Sequence, residues 1–253
     1  MQIYSLKQGD LEVELISFGA SLSSVKFKGQ QVLRQISYHV YSQTKGHFGS
    51  IAGPVANRIS GAKVIIQNTE YHLDQNEGQN TLHGGHQGLG LRQWSMIEQG
   101  IDYIIFEIKL AHLELGLPGD RIFRCCYRLI HDSSLNIDLT MTTNHITLCN
   151  LAPHPYFCLD DTGTVAEHHL QVFADHYLPK DPEQLPTGEI KSVQHTRFDF
   201  RSPKKLAQTL IDDQLSLDHN FCFTVHESQQ NALTNLACLS SERSNILLSV
   251  LSN

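Results

Sequence analysis

A chain of 253 residues, 40% of them hydrophobic and 18% charged, can bury one sizeable core and is too apolar for a disordered segment. Its formal charge of -7 argues against a nucleic-acid backbone or an anionic membrane as the main partner. No run approaches the roughly 18 apolar residues of a membrane span, and Met1 to Asp10 lacks the basic-then-apolar order of a signal peptide, so the expected location is cytoplasmic.

In chain order, the apolar period is two almost throughout. Leu11, Val13 and Leu15 alternate with Glu12 and Glu14. Ile104, Phe106, Ile108 and Leu110 share one face, with Glu107 and Lys109 on the other. Phe123, Cys125, Tyr127 and Leu129 face away from Arg124 and Arg128, and Leu135, Ile137, Leu139 and Met141 alternate with Asn136, Asp138 and Thr140. Such runs predict half-buried antiparallel strands. Breaks at Gln8-Gly9-Asp10, Lys28-Gly29-Gln30, Gln67-Asn68-Thr69 and His131-Asp132-Ser133 carry hairpin chemistry. One segment, Pro203 to Leu210, reads as a short helix with Ser202 as its N-cap. Many short strands predict an all-β sandwich or barrel, with residues 1–253 as a single domain. The polar stretches Asp74 to Gln93 and Asp175 to Thr196 then read as functional loops.

Six cysteines form no C-x-x-C pair and read as free thiols. Among fifteen histidines, His83 and His86 lie in a glycine-rich loop rather than on a helix, and His168 and His169 diverge if extended. No metal-like spacing appears, so no metal is expected. The Gly84 to Gly90 loop lacks the strand–helix setting and Lys-Ser/Thr pair of a phosphate cradle. No G-x-S-x-G elbow exists. What remains is a polar set between strands: Asn57, Arg58, His83, His154 and Asp218. Pro153 and Pro155 restrict the backbone around His154. Arginine and aspartate suit vicinal hydroxyls, and histidine exchanges protons near neutral pH.

These residues sit in blocks that resemble the aldose 1-epimerase (galactose mutarotase) family. The blocks are Gly53-Pro54-Val55-Ala56-Asn57-Arg58-Ile59, Asn80-Thr81-Leu82-His83-Gly84-Gly85, Gly116-Leu117-Pro118-Gly119-Asp120, Asn150 to Phe157, Tyr177-Leu178-Pro179 with Pro186 to Ile190, and Leu217-Asp218-His219-Asn220-Phe221. They occur in family order along nearly the whole chain. The resemblance implies a large antiparallel β-sandwich and an aldohexose substrate bound in a cleft, without metal or organic cofactor. It implies His154 as general acid, His83 as a hydrogen-bonding partner near the ring oxygen, and Asn57, Arg58 and Asp218 as substrate-binding residues.

The sequence departs from the family at three places. Pro54 stands where arginine is frequent, and Leu89-Gly90-Leu91 replaces Phe-Asp-Lys. No glutamate aligns with the family's general base, and the strand Ile246 to Leu251 is followed by Ser252 and Asn253. The resemblance therefore implies an acid without its base, weak or undetectable acceleration over the spontaneous reaction, and an unpaired edge or exposed apolar patch beside Asn245 to Leu251. A non-catalytic sugar-binding relative is the alternative.

Overall fold

Alternation turns into antiparallel pairing wherever the sequence showed it over six residues or more. The computed structural model describes residues 1–44, 46–209, 217–223 and 232–253, and the chain divides into two units, Met1–Phe157 and Cys158–Asn253.

The first unit begins with β1 (Ile3–Gln8), β2 (Leu11–Ile16), β3 (Ser21–Phe27) and β4 (Gln30–Gln31), paired in that order. Leu11, Val13 and Leu15 point into the core, as their period requires. At the β3–β4 turn, Lys28 and Gly29 both have positive φ, the type I′ geometry that matches strand twist. Then come α1 (Tyr38–Tyr41), β5 (Ile51–Ala52), β6 (Arg58–Ile59), β7 (Lys63–Ile66), β8 (Thr69–His72) and β9 (Thr81–Leu82). Gln67 and Asn68 make the same kind of turn between β7 and β8. A second four-stranded sheet follows, with β10 (Ser95–Gln99), β11 (Tyr103–Leu110), β12 (Arg121–Ile130) and β13 (Ser134–Thr143) in order. Finally β14 (Ala152–Pro153) pairs with β5.

The two large sheets of this unit meet through their buried faces. Tyr4 of β1 stands edge-on to Phe106 of β11, with centroids 5.5 Å apart, and the Tyr127 hydroxyl of β12 donates to the Ala20 carbonyl at 2.7 Å. The core is Leu6, Val13 and Leu15 against Ile104, Phe106, Phe123 and Tyr127. Fully burying each such side chain contributes roughly 1.5–3 kcal/mol. Cys125 lies within this core and Cys126 on the opposite face, both as free thiols. Arg121 is wholly buried, where it donates from Nε to the Gly119 carbonyl and from Nη2 to those of Ala111 and Glu114.

The second unit holds β15 (His169–Val172), β16 (His176–Tyr177), β17 (Lys191–Ser192), β18 (Lys204–Lys205), β19 (Phe221–Cys222), β20 (Thr234–Ser241) and β21 (Ile246–Ser252). One sheet runs β18-β15-β20-β21 and another β17-β16-β19. Its cores are Val172, Ala174, Phe200 and Leu206, and Tyr177, Val193 and Phe198. Among the described residues β21 is an edge strand of its sheet, with Leu247, Val250 and Leu251 exposed.

The expected helix from Pro203 is a correction. Lys204–Lys205 is strand, paired with Leu170 and His169, and only Leu206–Gln208 turns, as a 3-10 helix entered from extended Lys205. The Ser-Pro start signal was real chemistry, but ladder bonds to β15 took the backbone. Leu210 lies outside the described residues.

Replacing Phe106 with Ala should cost roughly 3–5 kcal/mol, the range for a buried aromatic truncation, read as a lower urea midpoint with an unchanged slope.

Candidate active site

Strands β6 and β9 pair Arg58 with Leu82 and Ile59 with Thr81, which places Asn57 and His83 opposite each other one step beyond the ladder. There both residues turn left-handed, at φ 67° and 52°. The His83 N–H donates to the Asn57 carbonyl at 3.1 Å, and the Asn57 N–H donates to His83 Nδ1 at 3.0 Å. A backbone N–H at Nδ1 requires a lone pair there, so the neutral ring carries its proton on Nε2 and presents a donor.

The His154 ring lies 5.4 Å from that of His83, nearly perpendicular to it. His154 is placed by backbone bonds that continue the β14–β5 pairing: its N–H donates to the Ser50 carbonyl at 2.9 Å, and its carbonyl accepts from Gly49 N–H at 2.9 Å. Tyr156 flanks the ring at 5.1 Å and is itself anchored through its hydroxyl to the Gly46 carbonyl at 3.0 Å. Arg58 is fixed by a two-pronged bond to Glu77, at 2.5 Å from Nε and 2.9 Å from Nη2.

Sequence reasoning missed His47. Its ring is buried, 4.8 Å from His83 and 6.1 Å from His154, making a cluster of three imidazoles. Burial, and then the charge of His154, pushes its pKa down to about 4. The signal was the glycine at 46 and 49 around an aromatic pair, His47-Phe48, which no period or motif singled out.

Glycine is required in the loop after His83. A Cβ on Gly84 would stand 2.2 Å from the Gly53 carbonyl oxygen, and one on Gly85 would stand 2.7 Å from Asp74. The loop closes on Trp94, whose buried indole donates Nε1–H to the Leu89 carbonyl at 2.9 Å. Beside the cluster lies a cavity of about 490 Å³, its walls including Phe18, His47, Asn76, Glu77, His86 and Gln87.

Four of the five expected residues, Asn57, Arg58, His83 and His154, thus belong to the first unit, joined through the bonds and ring contacts above. Asp218 belongs to the second, where its carboxylate is 3.4 Å from Lys180 Nζ and largely exposed. Its neighbour His219 packs between Tyr177 and Phe198, at 5.9 and 4.3 Å between rings.

The second unit also gathers Cys158, Asp160 and His168, with possible ligand atoms within 4.8 Å of one another, a grouping that sequence spacing did not reveal. The His168 Nε2 lone pair already accepts the Leu159 N–H at 2.9 Å, while Asp160 accepts from Ser241 and Thr162. Burial pushes the Asp160 carboxyl up, but the Thr162 and Ser241 bonds outweigh it and hold it below the ordinary range. With its lone pair filled, the histidine serves a hydrogen-bond network rather than an ion.

No helix among the described residues is long and apolar enough to cross a membrane. A family model described as aldose 1-epimerase matches residues 2–253, across both units. A galactose mutarotase from Pongo abelii is 33% identical over 230 residues, covering 87% of this chain, and the chain spans 66% of that relative's length. An aldose 1-epimerase from Haemophilus influenzae is 30% identical over 232 residues, covering 88% of this chain and 68% of that protein. A solved GalM/aldose epimerase homologue from C. elegans superposes with a TM-score of 0.89 at 31% identity, over 98% of this chain and 78% of that one.

The low pKa of His47 sets a stability profile. Above about pH 6.5 folded and unfolded chains both hold this ring neutral, and its contribution is complete. From there down to about pH 4 the unfolded chain binds a proton that the folded chain does not, so up to about 3 kcal/mol is lost. Below that both are protonated and the loss levels off. Thermal unfolding between pH 7 and 4 should show the fall, and His47→Phe should flatten part of it.

Proposed function

The chain belongs to the aldose 1-epimerase family, and from that premise we propose that it interconverts the α and β anomers of a free aldohexose, such as galactose or glucose, by acid–base ring opening and closure. The observation that carries this reading is the pair His83–His154. One ring presents a fixed Nε2–H donor, and the other stands 5.4 Å away on an independently anchored strand end.

In the proposed reaction His154 gives its proton to the ring oxygen as the bond from that oxygen to the anomeric carbon breaks. His83 donates Nε2–H to the same oxygen and steadies charge as it develops, a placement of donors that acts most strongly in the transition state. A base takes the proton of the anomeric hydroxyl as the carbonyl forms, the aldehyde carbon rotates, and the ring closes on its other face with both protons returned. Arg58 and Asp218 hold hydroxyls, with Asn57 fixing the His83 tautomer. The Glu77 carboxylate balances Arg58, so the site binds a neutral sugar without a net cationic demand.

Polarimetry on freshly dissolved α-galactose and α-glucose tests the reading. The protein should bring rotation to equilibrium faster than the spontaneous rate, and a rate equal to buffer alone would refute catalysis. His154→Ala should lower kcat by roughly 10²- to 10⁴-fold with KM nearly unchanged. Asp218→Ala should instead weaken sugar binding, by the roughly 1.5–3 kcal/mol of a charged hydrogen bond, as read by calorimetry.

A further inference from the structure

The cavity of the first unit carries a second oriented imidazole that the reaction above does not use. Asp74 Oδ2 accepts the backbone N–H of His86 at 2.6 Å and its Nδ1 at 2.8 Å. We propose that the Asp74–His86 pair is the proton acceptor of this cavity, taking the anomeric hydroxyl proton of a bound sugar at His86 Nε2. The proposal rests on the epimerase reading for its substrate.

An ionised carboxylate only accepts hydrogen bonds, so Nδ1 carries a proton, and in the neutral ring Nε2 is left with a lone pair. The Asp74 carboxyl is held below its ordinary range by the His86 backbone N–H first, against burial, and then by the ring. The approach depends on Gly85, at φ +92°, since any Cβ there would press on the Asp74 carboxylate. The remaining ring nitrogen belongs to a half-exposed side chain that lines the cavity.

Two other titratable groups face the same space. Glu77 is engaged by the Arg58 fork, and His47, with its pKa near 4, is a weak acceptor at neutral pH. His47 also ties the cavity to the acid, since it lies 6.1 Å, ring to ring, from His154. The step balances. The hydroxyl proton passes to His86 Nε2 as the anomeric carbon–oxygen bond becomes a carbonyl. The bond from that carbon to the ring oxygen breaks, and the ring oxygen takes the His154 proton. Closure on the opposite face returns both protons.

The test combines polarimetry with ¹⁵N spectra of the histidine rings in wild type, His86→Gln and Asp74→Ala. His86→Gln, at an exposed position, should lower kcat by roughly 10²- to 10⁴-fold with KM within about twofold. Asp74→Ala should convert the His86 ring from the Nδ1–H to the Nε2–H form and lower kcat as well, which a mere loop staple would not require. In wild type, α-galactose should shift the His86 Nε2 resonance. An unchanged kcat in His86→Gln overturns the proposal. If wild type itself fails to accelerate mutarotation, the epimerase reading fails first. The Nε2 shift on adding galactose then still supports His86 as a sugar contact, and no shift at saturating galactose overturns it.

Discussion

Asn57 and His83 hold each other from both ends, main chain to main chain and main chain to ring. The geometry is available only because both leave the β-region together at the end of a two-residue ladder. Left-handed backbone at a residue with a Cβ costs roughly 1–2 kcal/mol, and asparagine and histidine are among the side chains that tolerate it best. Two hydrogen bonds offset that cost and yield something a plain strand cannot: a ring whose tautomer is set by the backbone. The His154 and His47 ring contacts, the Gly84 close approach and the cavity wall are all arranged around that fixed ring.

The charged groups around it are arranged to be quiet. Arg58 is spanned by Glu77, and Asp74 by two N–H donors of one residue. Such pairing fixes the carboxylates and holds the guanidinium plane still beside the imidazoles. In the second unit the buried Asp160 carboxylate follows the same logic for a structural end, joining its loop to β20 by accepting from the Ser241 hydroxyl.

The long strands were legible because a half-buried sheet imposes a period of two on its sequence. Leu11 to Leu15, Ile104 to Leu110 and Phe123 to Leu129 carry that period without interruption, and each became a strand. The two-residue ladders β6, β9 and β14 are too short to show any period, so Asn57, His83 and His154 were legible only as motif residues. Their mutual geometry, and the tautomer, were not. His47 carries no such mark, because its role comes from burial beside two other rings that the chain supplies from 36 and 107 residues away. The Ser202-Pro203 start was misread since the same dihedral restriction serves an extended residue as well as a first helical one.

One consequence follows from the single tryptophan. Trp94 is sealed from solvent, and its indole is hydrogen-bonded to Leu89, in the turn that carries Gln87 and Leu91 on the cavity wall. The chain therefore contains one indole fluorophore, built into the loop next to the candidate site. Burial and the Leu89 bond keep this indole dry and fixed, so a rearrangement of the loop that admits water or breaks that bond would change its surroundings. The chain thus carries its own reporter for the loop that forms part of the cavity wall, with no label attached.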